Sequence, residues 1–148
     1  MSEKRALQFN SEDDALAEIA KLRKGYRQLK NWNLPMVGRH ASLVIQRGLQ
    51  PPASPIPTPE EAERKKAFVD VVLTTGRPPA GFTPPPDIMP PADCDDTDIS
   101  KMETALQALK TYPHPLVAMG AFGPVSIGEF RRLNLIHLAH HLGFLIPK

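Results

Sequence analysis

The chain has 148 residues, of which 41% are hydrophobic and 23% charged, with a formal net charge of +2. This length predicts one domain, residues 1–148, that buries its core without disulfides. No block of Lys and Arg stands apart from acidic neighbours and no apolar run approaches the roughly 20 residues of a membrane span, so neither nucleic acid nor a membrane is an expected partner.

Two helices are predicted in the first third of the chain. The first spans about residues 11–29, where apolar residues recur at steps of three and four. At its start, Ser11 and the following Asp14 resemble a capping box. Asn33 is placed to cap a second helix over about residues 34–47.

The third predicted helix has the clearest start in the chain. The run Thr58-Pro-Glu-Glu61 combines an N-cap, a proline at the first helical position and a glutamate at the third. The helix continues to about residue 76, although the β-branched residues near its end could be misread as a strand. Residues 77–96 then form a proline-rich loop, because such a density of prolines excludes regular structure.

Two more helices complete the prediction. One covers about residues 98–110, with apolar residues at heptad-like spacing. The other opens at Ser126, which pairs with Glu129 in a capping box, and runs to about residue 143. No segment alternates apolar and polar residues for long enough to predict a strand. Five amphipathic helices with long connections therefore predict an all-α bundle.

Histidines lie on the inner faces of two of these helices. His137 and His141 are one turn apart in the last helix, on a stripe shared with Phe130 and Leu133. His40 lies on the apolar face of the second helix. Burying an imidazole nitrogen without a partner costs roughly 1–3 kcal/mol, and a shared metal ion would satisfy one nitrogen of each ring. We therefore predict a metal site formed by His40, His137 and His141.

The predicted site would be of the catalytic type, because three imidazoles leave coordination positions open. All-nitrogen ligation favours a divalent transition metal (zinc, nickel or iron) over calcium or magnesium. The HxxxH spacing alone is a weak signal, and Leu138 stands where a zincin protease has glutamate, which disfavours that class. Pairing of the histidines with buried carboxylates is also disfavoured, because the inner stripes carry no Asp or Glu at suitable positions.

Structural roles, rather than metal binding or catalysis, are expected for the other histidines, Trp32 and the two arginines of the last helix. His140 could replace or support a ligand, but a partly exposed place on the helix flank is expected, and His114, between two prolines, is expected in solvent. Trp32 is expected to fill the junction of the first two helices, with substrate stacking as the alternative. Arg131 and Arg132 are expected on the solvated flank of the last helix.

The redox and targeting signals are consistent with each other. The N-terminus is polar and lacks the apolar stretch of a signal peptide, and Cys94 is the single cysteine. The carboxylates that flank Cys94 disfavour its thiolate, which is the reactive form. We therefore expect a cytoplasmic protein in which this thiol is not a nucleophile.

Several short motifs, in order along nearly the whole chain, resemble one known group of proteins. They are residues 31–40 (NWNLPMVGRH), 75–81 (TGRPPAG), 90–93 (PPAD), 121–123 (AFG) and 136–143 (IHLAHHLG). With these motifs the chain resembles the DinB-like superfamily of four-helix metal proteins, and most of all a branch of mainly bacterial, functionally uncharacterised domains within it.

The resemblance implies a DinB-like four-helix bundle with long proline-rich loops and an additional short helix. It implies a metal held by one histidine of the second helix and an HxxxH pair of the last, which are here His40, His137 and His141. Characterised members of the superfamily include transferases in which the metal activates a low-molecular-weight thiol. Others are hydrolases or have no known activity, and dimers are common, so a homodimer is expected.

The chain departs from the pattern of that branch at three places. Residues 119–121 (MGA) stand where a His-Pro pair usually precedes Phe-Gly. Phe130 replaces an expected tryptophan, and Asn134 replaces an expected histidine. These changes remodel the mouth of the expected site without altering its three ligands.

Two hypotheses follow for the function. The first is a metal-dependent transferase or hydrolase acting on a small molecule, in which the ion activates water or a thiol. Residues 77–96 and Trp32 would wall the entrance of its site. The second is a non-catalytic helical module for dimerisation or partner binding whose site has decayed, which the changes at residues 119–121 and 134 would favour.

Overall fold

A computed structural model describes residues 4–79, 86–119 and 122–148. This part of the chain is mainly helical, as predicted. The α-helices are α1 (Glu12–Arg23), α2 (Leu34–Gly48), α3 (Pro59–Arg64), α4 (Asp70–Thr75), α5 (Asp96–Thr111) and α6 (Ile127–Leu142). A π-helical segment (Lys65–Val69) joins α3 to α4 without a break, and a 3₁₀ turn (Pro86–Ile88) precedes α5. No helix within these ranges has both the length and the apolarity that a bilayer crossing demands.

The expectation that the chain lacks strands is wrong. In the described ranges, four strands of three residues each form two antiparallel pairs. They are β1 (Tyr26–Gln28) with β4 (Leu145–Pro147), and β2 (Leu116–Ala118) with β3 (Pro124–Ser126). Three residues are too few to show the alternation by which a strand is recognised in a sequence.

The first helix is shorter than predicted because the chain reverses at Gly25. This residue has a φ of +136°, a conformation that favours glycine, and its position after α1 turns the chain into β1. Tyr26 and its neighbours therefore pair with β4 instead of extending α1. The Tyr26 hydroxyl accepts a hydrogen bond from the backbone N–H of Leu34 at 2.9 Å, which ties this strand to the start of α2.

Side-chain caps fix where the other helices begin. Asn33 accepts a hydrogen bond from the backbone N–H of Met36, and capping boxes at Thr58 and Ser126 form as predicted. A further box, Asp95 with Asp98, starts α5 two residues earlier than the sequence indicated. The caps thus set the register of α2 and α6, the two helices that carry the histidines.

The core is built mainly from the inner faces of α1, α2, α5 and α6. Helices α2 and α5 approach each other closely at Gly38. A Cβ atom built on Gly38 would lie 2.5 Å from the backbone oxygen of Asp98, so only glycine fits there without displacing the backbone. Beside this contact, Arg39 donates a hydrogen bond of 2.6 Å to the buried carboxylate of Asp98.

Arg132 is exposed on the flank of α6, as predicted, and Arg131 beside it is partly exposed. Arg131 also forms an ion pair with a buried carboxylate, which was not predicted. Its guanidinium donates two hydrogen bonds, of 2.7 and 2.6 Å, to the carboxylate of Glu12, which is fully buried. Burial of Glu12 opposes its ionisation, but the hydrogen bonds and charge of Arg131 lower the pKa of this carboxyl below its usual value. The pair joins the start of α1 to the first half of α6.

A second, smaller apolar cluster lies between the π-helical segment and α6. Val69 and Val72 pack there against Leu133. The rings of Phe68 and Phe122 stack at its edge, with centroids 5.1 Å apart. The π-helical segment thus supplies part of a packing surface for the helix that carries His137 and His141.

Candidate metal centre

The fold brings His40 of α2 together with His137 and His141 of α6. One nitrogen from each ring lies within 4.8 Å of the others, so this group could hold a metal ion. His40 is buried, and the other two histidines are partly buried. His137 and His141 share one face because they are one helical turn apart. His40 reaches them because α2 packs against α6.

The Nε2 atom of His137 is the centre of the cluster. It lies 3.0 Å from Nε2 of His40 and 3.0 Å from Nε2 of His141. A neutral imidazole nitrogen offers either one N–H or one in-plane lone pair. Nε2 of His137 can therefore satisfy at most one of its two contacts with a linear hydrogen bond. A cation that accepts three lone pairs would satisfy all three atoms at once.

A backbone carbonyl of the proline-rich loop fixes the ring of His40. Nδ1 of His40 lies 2.8 Å from the carbonyl oxygen of Ile88. Because a carbonyl oxygen only accepts, Nδ1 carries the proton and donates, which leaves the lone pair of the neutral ring on Nε2. Metal-binding histidines are commonly oriented in this way by a partner on the other nitrogen. No sequence pattern predicted this contact, because the acceptor is a main-chain atom of a loop far along the chain.

The surroundings of the cluster keep its imidazoles neutral. Burial first, and then the neighbouring imidazoles, lower the pKa of His137 to about 3. Burial first, then the neighbouring imidazoles and last the charge of Lys4, lower the pKa of His141 to about 2. Burial also lowers the pKa of His40, although the hydrogen bond to Ile88 opposes this effect. Only neutral imidazoles bind metal, so the three nitrogens are available as ligands at neutral pH.

Trp32 covers the cluster from the segment that precedes α2. Its ring stacks on His141 with the centroids 4.9 Å apart and an interplanar angle of 22°, and it meets His40 at 5.0 Å. It also lines a cavity of about 230 Å³, together with His141 and Phe144. The expected role of Trp32 as a filler at the junction of the first two helices is thus combined with direct contact to two of the histidines.

The remaining candidate residues contribute no nitrogen to the cluster, although the ring centroid of His140 lies 5.1 Å from that of His141. His140 is exposed, and its Nδ1 accepts a hydrogen bond of 2.7 Å from the ammonium group of Lys4. His114 is exposed as expected and packs against the ring of Tyr112. Burial, followed by the charge of Asp98, raises the pKa of the Cys94 thiol, which disfavours the thiolate as predicted.

Some of the positions at which the chain departs from the motifs of the expected branch lie within the described residues. Asn134, which stands where a histidine was expected, is buried and donates a hydrogen bond of 2.8 Å to the backbone oxygen of Phe130. Met119 packs at the edge of both apolar clusters. Gly120 and Ala121, and residues 80–81 of the TGRPPAG motif, lie outside the described residues.

The donor set suits a divalent transition metal. Two bonds of about 2.0–2.1 Å from histidine nitrogens to one ion leave the two nitrogens about 3 Å apart when the bonds meet at close to a right angle. The two measured separations of 3.0 Å match this distance. Three neutral nitrogens without an oxygen ligand fit zinc, nickel or iron better than calcium or magnesium.

The comparisons with known proteins give a family but no activity. No curated protein and no solved structure matches the chain. A family model described as "Protein of unknown function (DUF1569)" matches residues 1–148. This match covers every element that builds the histidine cluster, and the chain therefore belongs to the DUF1569 family.

Proposed function

We propose that the protein is a metal-dependent enzyme in which His40, His137 and His141 bind one divalent transition-metal ion. The observation that carries this proposal is the double contact of His137 Nε2, which hydrogen bonds cannot satisfy in full. We further propose a DinB-like four-helix bundle built from α1, α2, α5 and α6, in accordance with the motifs that the sequence shares with that superfamily.

The chemistry of such a site is that of a transferase or hydrolase acting on a small molecule. When bound, the ion would lower the pKa of a coordinated water or low-molecular-weight thiol and so supply a nucleophile near neutral pH. The role of the chain is to hold three neutral nitrogens in place. Ile88 fixes the tautomer of His40, and Trp32 covers the rings of His40 and His141 and limits the access of water.

Metal analysis of the purified protein tests the site. Protein freed of metal by a chelator is incubated with Zn²⁺, Ni²⁺ or Co²⁺, dialysed and measured by plasma mass spectrometry. We expect about one ion per chain for the wild type and a loss of that ion in His40→Ala and His137→Ala. The matched controls are His114→Ala and His140→Ala, which remove histidines outside the cluster and should bind as the wild type does. Equal binding by the His137→Ala variant would contradict the site.

A second assay tests catalysis apart from binding. Metal-loaded and metal-free proteins are offered an activated ester and, separately, a small thiol with an aryl halide acceptor. We expect turnover of one of these only with the loaded protein, and its loss in His137→Ala. A loaded protein that turns over neither substrate would refute the catalytic proposal and leave the ion site standing.

A further inference from the structure

Two lysines converge on one aromatic ring beside the histidine cluster. The ammonium group of Lys4 lies 5.5 Å from the centroid of the Phe144 ring, and that of Lys30 lies 5.6 Å from it. Lys4 also donates its hydrogen bond to His140, four residues before Phe144. Two separate parts of the chain therefore place positive charge near the ring of Phe144, just beyond the end of α6.

Neither lysine is neutralised within the part of the chain that the structure describes. No ion pair joins Lys4 or Lys30 to an acidic side chain there, and no carboxylate lines the cavity between Trp32 and Phe144. Arg77 adds to the positive field at Lys4, where burial first and this charge second lower the pKa of the Lys4 ammonium group. An uncompensated group of cations around a cavity favours an anionic occupant.

The cavity beside Trp32 is lined by Lys30 and also by His141, one of the three histidines of the candidate metal centre. Lys30, Trp32, His140 and His141 are among its lining residues, and Lys4 lies outside the lining but contacts His140. Its volume of about 230 Å³ suits a small molecule, since it is below the about 300–1,000 Å³ of drug-sized ligand pockets. One occupant can therefore contact Lys30 and His141 together.

We propose that the substrate of the metal centre is a small organic anion whose negative group binds Lys30 in this cavity, while Lys4 adds to the positive field from beside it. The inference rests on the proposed function, because it assigns the other end of the same molecule to the metal. Trp32 and Phe144 supply apolar walls for the body of the molecule, and the lysines supply the charge that selects it. Neutral molecules of the same size would bind less tightly, because they leave the cations without a partner.

A pair of matched probes tests the charge preference. Acetohydroxamate and N-hydroxysuccinamate share one metal-binding group, and only the second carries a carboxylate. Their binding to the Co²⁺-loaded protein is followed by the visible absorption of the ion. We expect the anionic probe to bind about five- to tenfold more tightly at low ionic strength, and this preference to shrink at 0.5 M salt, where exposed charges are screened.

Single-charge variants locate the effect. We expect Lys30→Gln to reduce the preference about threefold and Lys30→Arg to retain it. Arg132→Gln removes a charge from the same helix as His141. Arg132 lines a neighbouring cavity of about 460 Å³, which Lys4 and His140 also line, but not the cavity of Lys30 and His141, so the preference should not change. Acetohydroxamate should bind all these variants equally, which also verifies that their metal centre is intact.

The outcomes separate the two proposals. If Co²⁺ binds and both probes bind with equal affinity, the anion inference is overturned while the metal centre stands. If the preference is lost in Arg132→Gln and kept in Lys30→Gln, the anion occupies the other cavity and the inference is again wrong. If the wild type takes up no Co²⁺, the proposed function fails, and the anion inference fails with it.

Discussion

The imidazole of His40 is held at Nδ1 by the carbonyl oxygen of Ile88, 2.8 Å away, so only its Nε2 is free to face the other two histidines. The proline-rich loop thereby takes part in the site through its backbone. The two nitrogens of the ring therefore have different roles, because Nδ1 holds the ring in place and Nε2 is a candidate metal ligand.

A substitution at His40 can keep the hydrogen bond made by Nδ1 while removing the candidate ligand Nε2. Asparagine carries an amide nitrogen close to the position of Nδ1, so His40→Asn should keep the hydrogen bond to Ile88 and lose the ligand. We expect the metal-free His40→Asn variant to be about 1 kcal/mol more stable than His40→Ala, the typical net value of one hydrogen bond. Neither variant should gain stability from Zn²⁺. Urea unfolding with and without Zn²⁺ measures both effects, and equal metal-free stability of the two variants would contradict the role of Ile88.

Zinc should stabilise the wild-type protein against unfolding. A ligand that binds only the folded state adds about 2.7 kcal/mol at a free concentration one hundred times its dissociation constant. We therefore expect the Tm of the metal-free protein to rise on addition of Zn²⁺ and to fall again with excess chelator. His114→Ala should show the same rise and His137→Ala should show none. A rise of equal size in His137→Ala would place the zinc elsewhere.

The metal-free protein should lose stability as the pH falls from 7 to 5. The pKa values of His137 and His141, about 3 and about 2 when folded, lie below the value of about 6.5 expected for the unfolded chain. Below pH about 6.5 the unfolded state therefore binds more protons, and the free energy of unfolding decreases by up to about 1.4 kcal/mol per pH unit for each imidazole. The stabilisation is complete above this pH and is lost progressively toward the folded pKa values.

Urea unfolding at several pH values measures this slope. The double variant His137→Ala and His141→Ala lacks two of the titrating groups and should give a flatter profile between pH 7 and 5. His114→Ala, which removes an exposed imidazole, is the control and should retain the wild-type slope. Parallel profiles for all three proteins would show that the buried imidazoles are not the cause.

Metal binding should be visible through Trp32. It is the only tryptophan of the chain, and its ring lies 4.9 Å from that of His141. Open-shell ions such as Ni²⁺ and Co²⁺ quench a nearby indole, whereas Zn²⁺ has a filled d shell and provides the control. We expect a saturable loss of fluorescence with Ni²⁺ that excess Zn²⁺ prevents. The same quenching in His137→Ala would mean that the ion binds near Trp32 by other groups.

Replacing only one member of the Glu12–Arg131 ion pair should lower the free energy of unfolding. Arg131→Met leaves the carboxylate of Glu12 buried without its partner, which costs about 3–5 kcal/mol for a fully buried pair. Because the Arg131 side chain is 39% exposed, we expect a smaller loss of about 2–4 kcal/mol. The double variant Glu12→Leu and Arg131→Met should recover most of this loss. If the loss of stability in the double variant instead equals the sum of the losses in the two single variants, the two residues act independently.

Local signals in the sequence predicted much of the fold. Thr58 and Ser126 cap their helices because a capping box involves only residues three positions apart, which the sequence displays directly. The inner stripes of α2 and α6 likewise selected His40, His137 and His141, because helical periodicity reports the face on which a residue lies. Whether these histidines bind metal is a question that periodicity cannot answer.

Contacts between distant parts of the chain were not predictable. The helix of Arg131 was recognised, but its partner Glu12 is 119 positions away, and no local pattern joins them. The carbonyl of Ile88 and the approach of Lys4 and Lys30 to Phe144 depend in the same way on tertiary packing. The short strands were missed because pairing with a distant segment, not their own composition, makes them strands.

The wide turn formed by Lys65–Val69 has a consequence for insertions and deletions. A π turn holds about one residue more than an α turn, and each residue of an α-helix rotates the chain by about 100°. Removing one residue from this stretch would therefore restore a regular helix and leave Val72 facing Leu133, because the wide turn already holds the extra residue. Relatives that are one residue shorter at this point could keep the same apolar residues against α6.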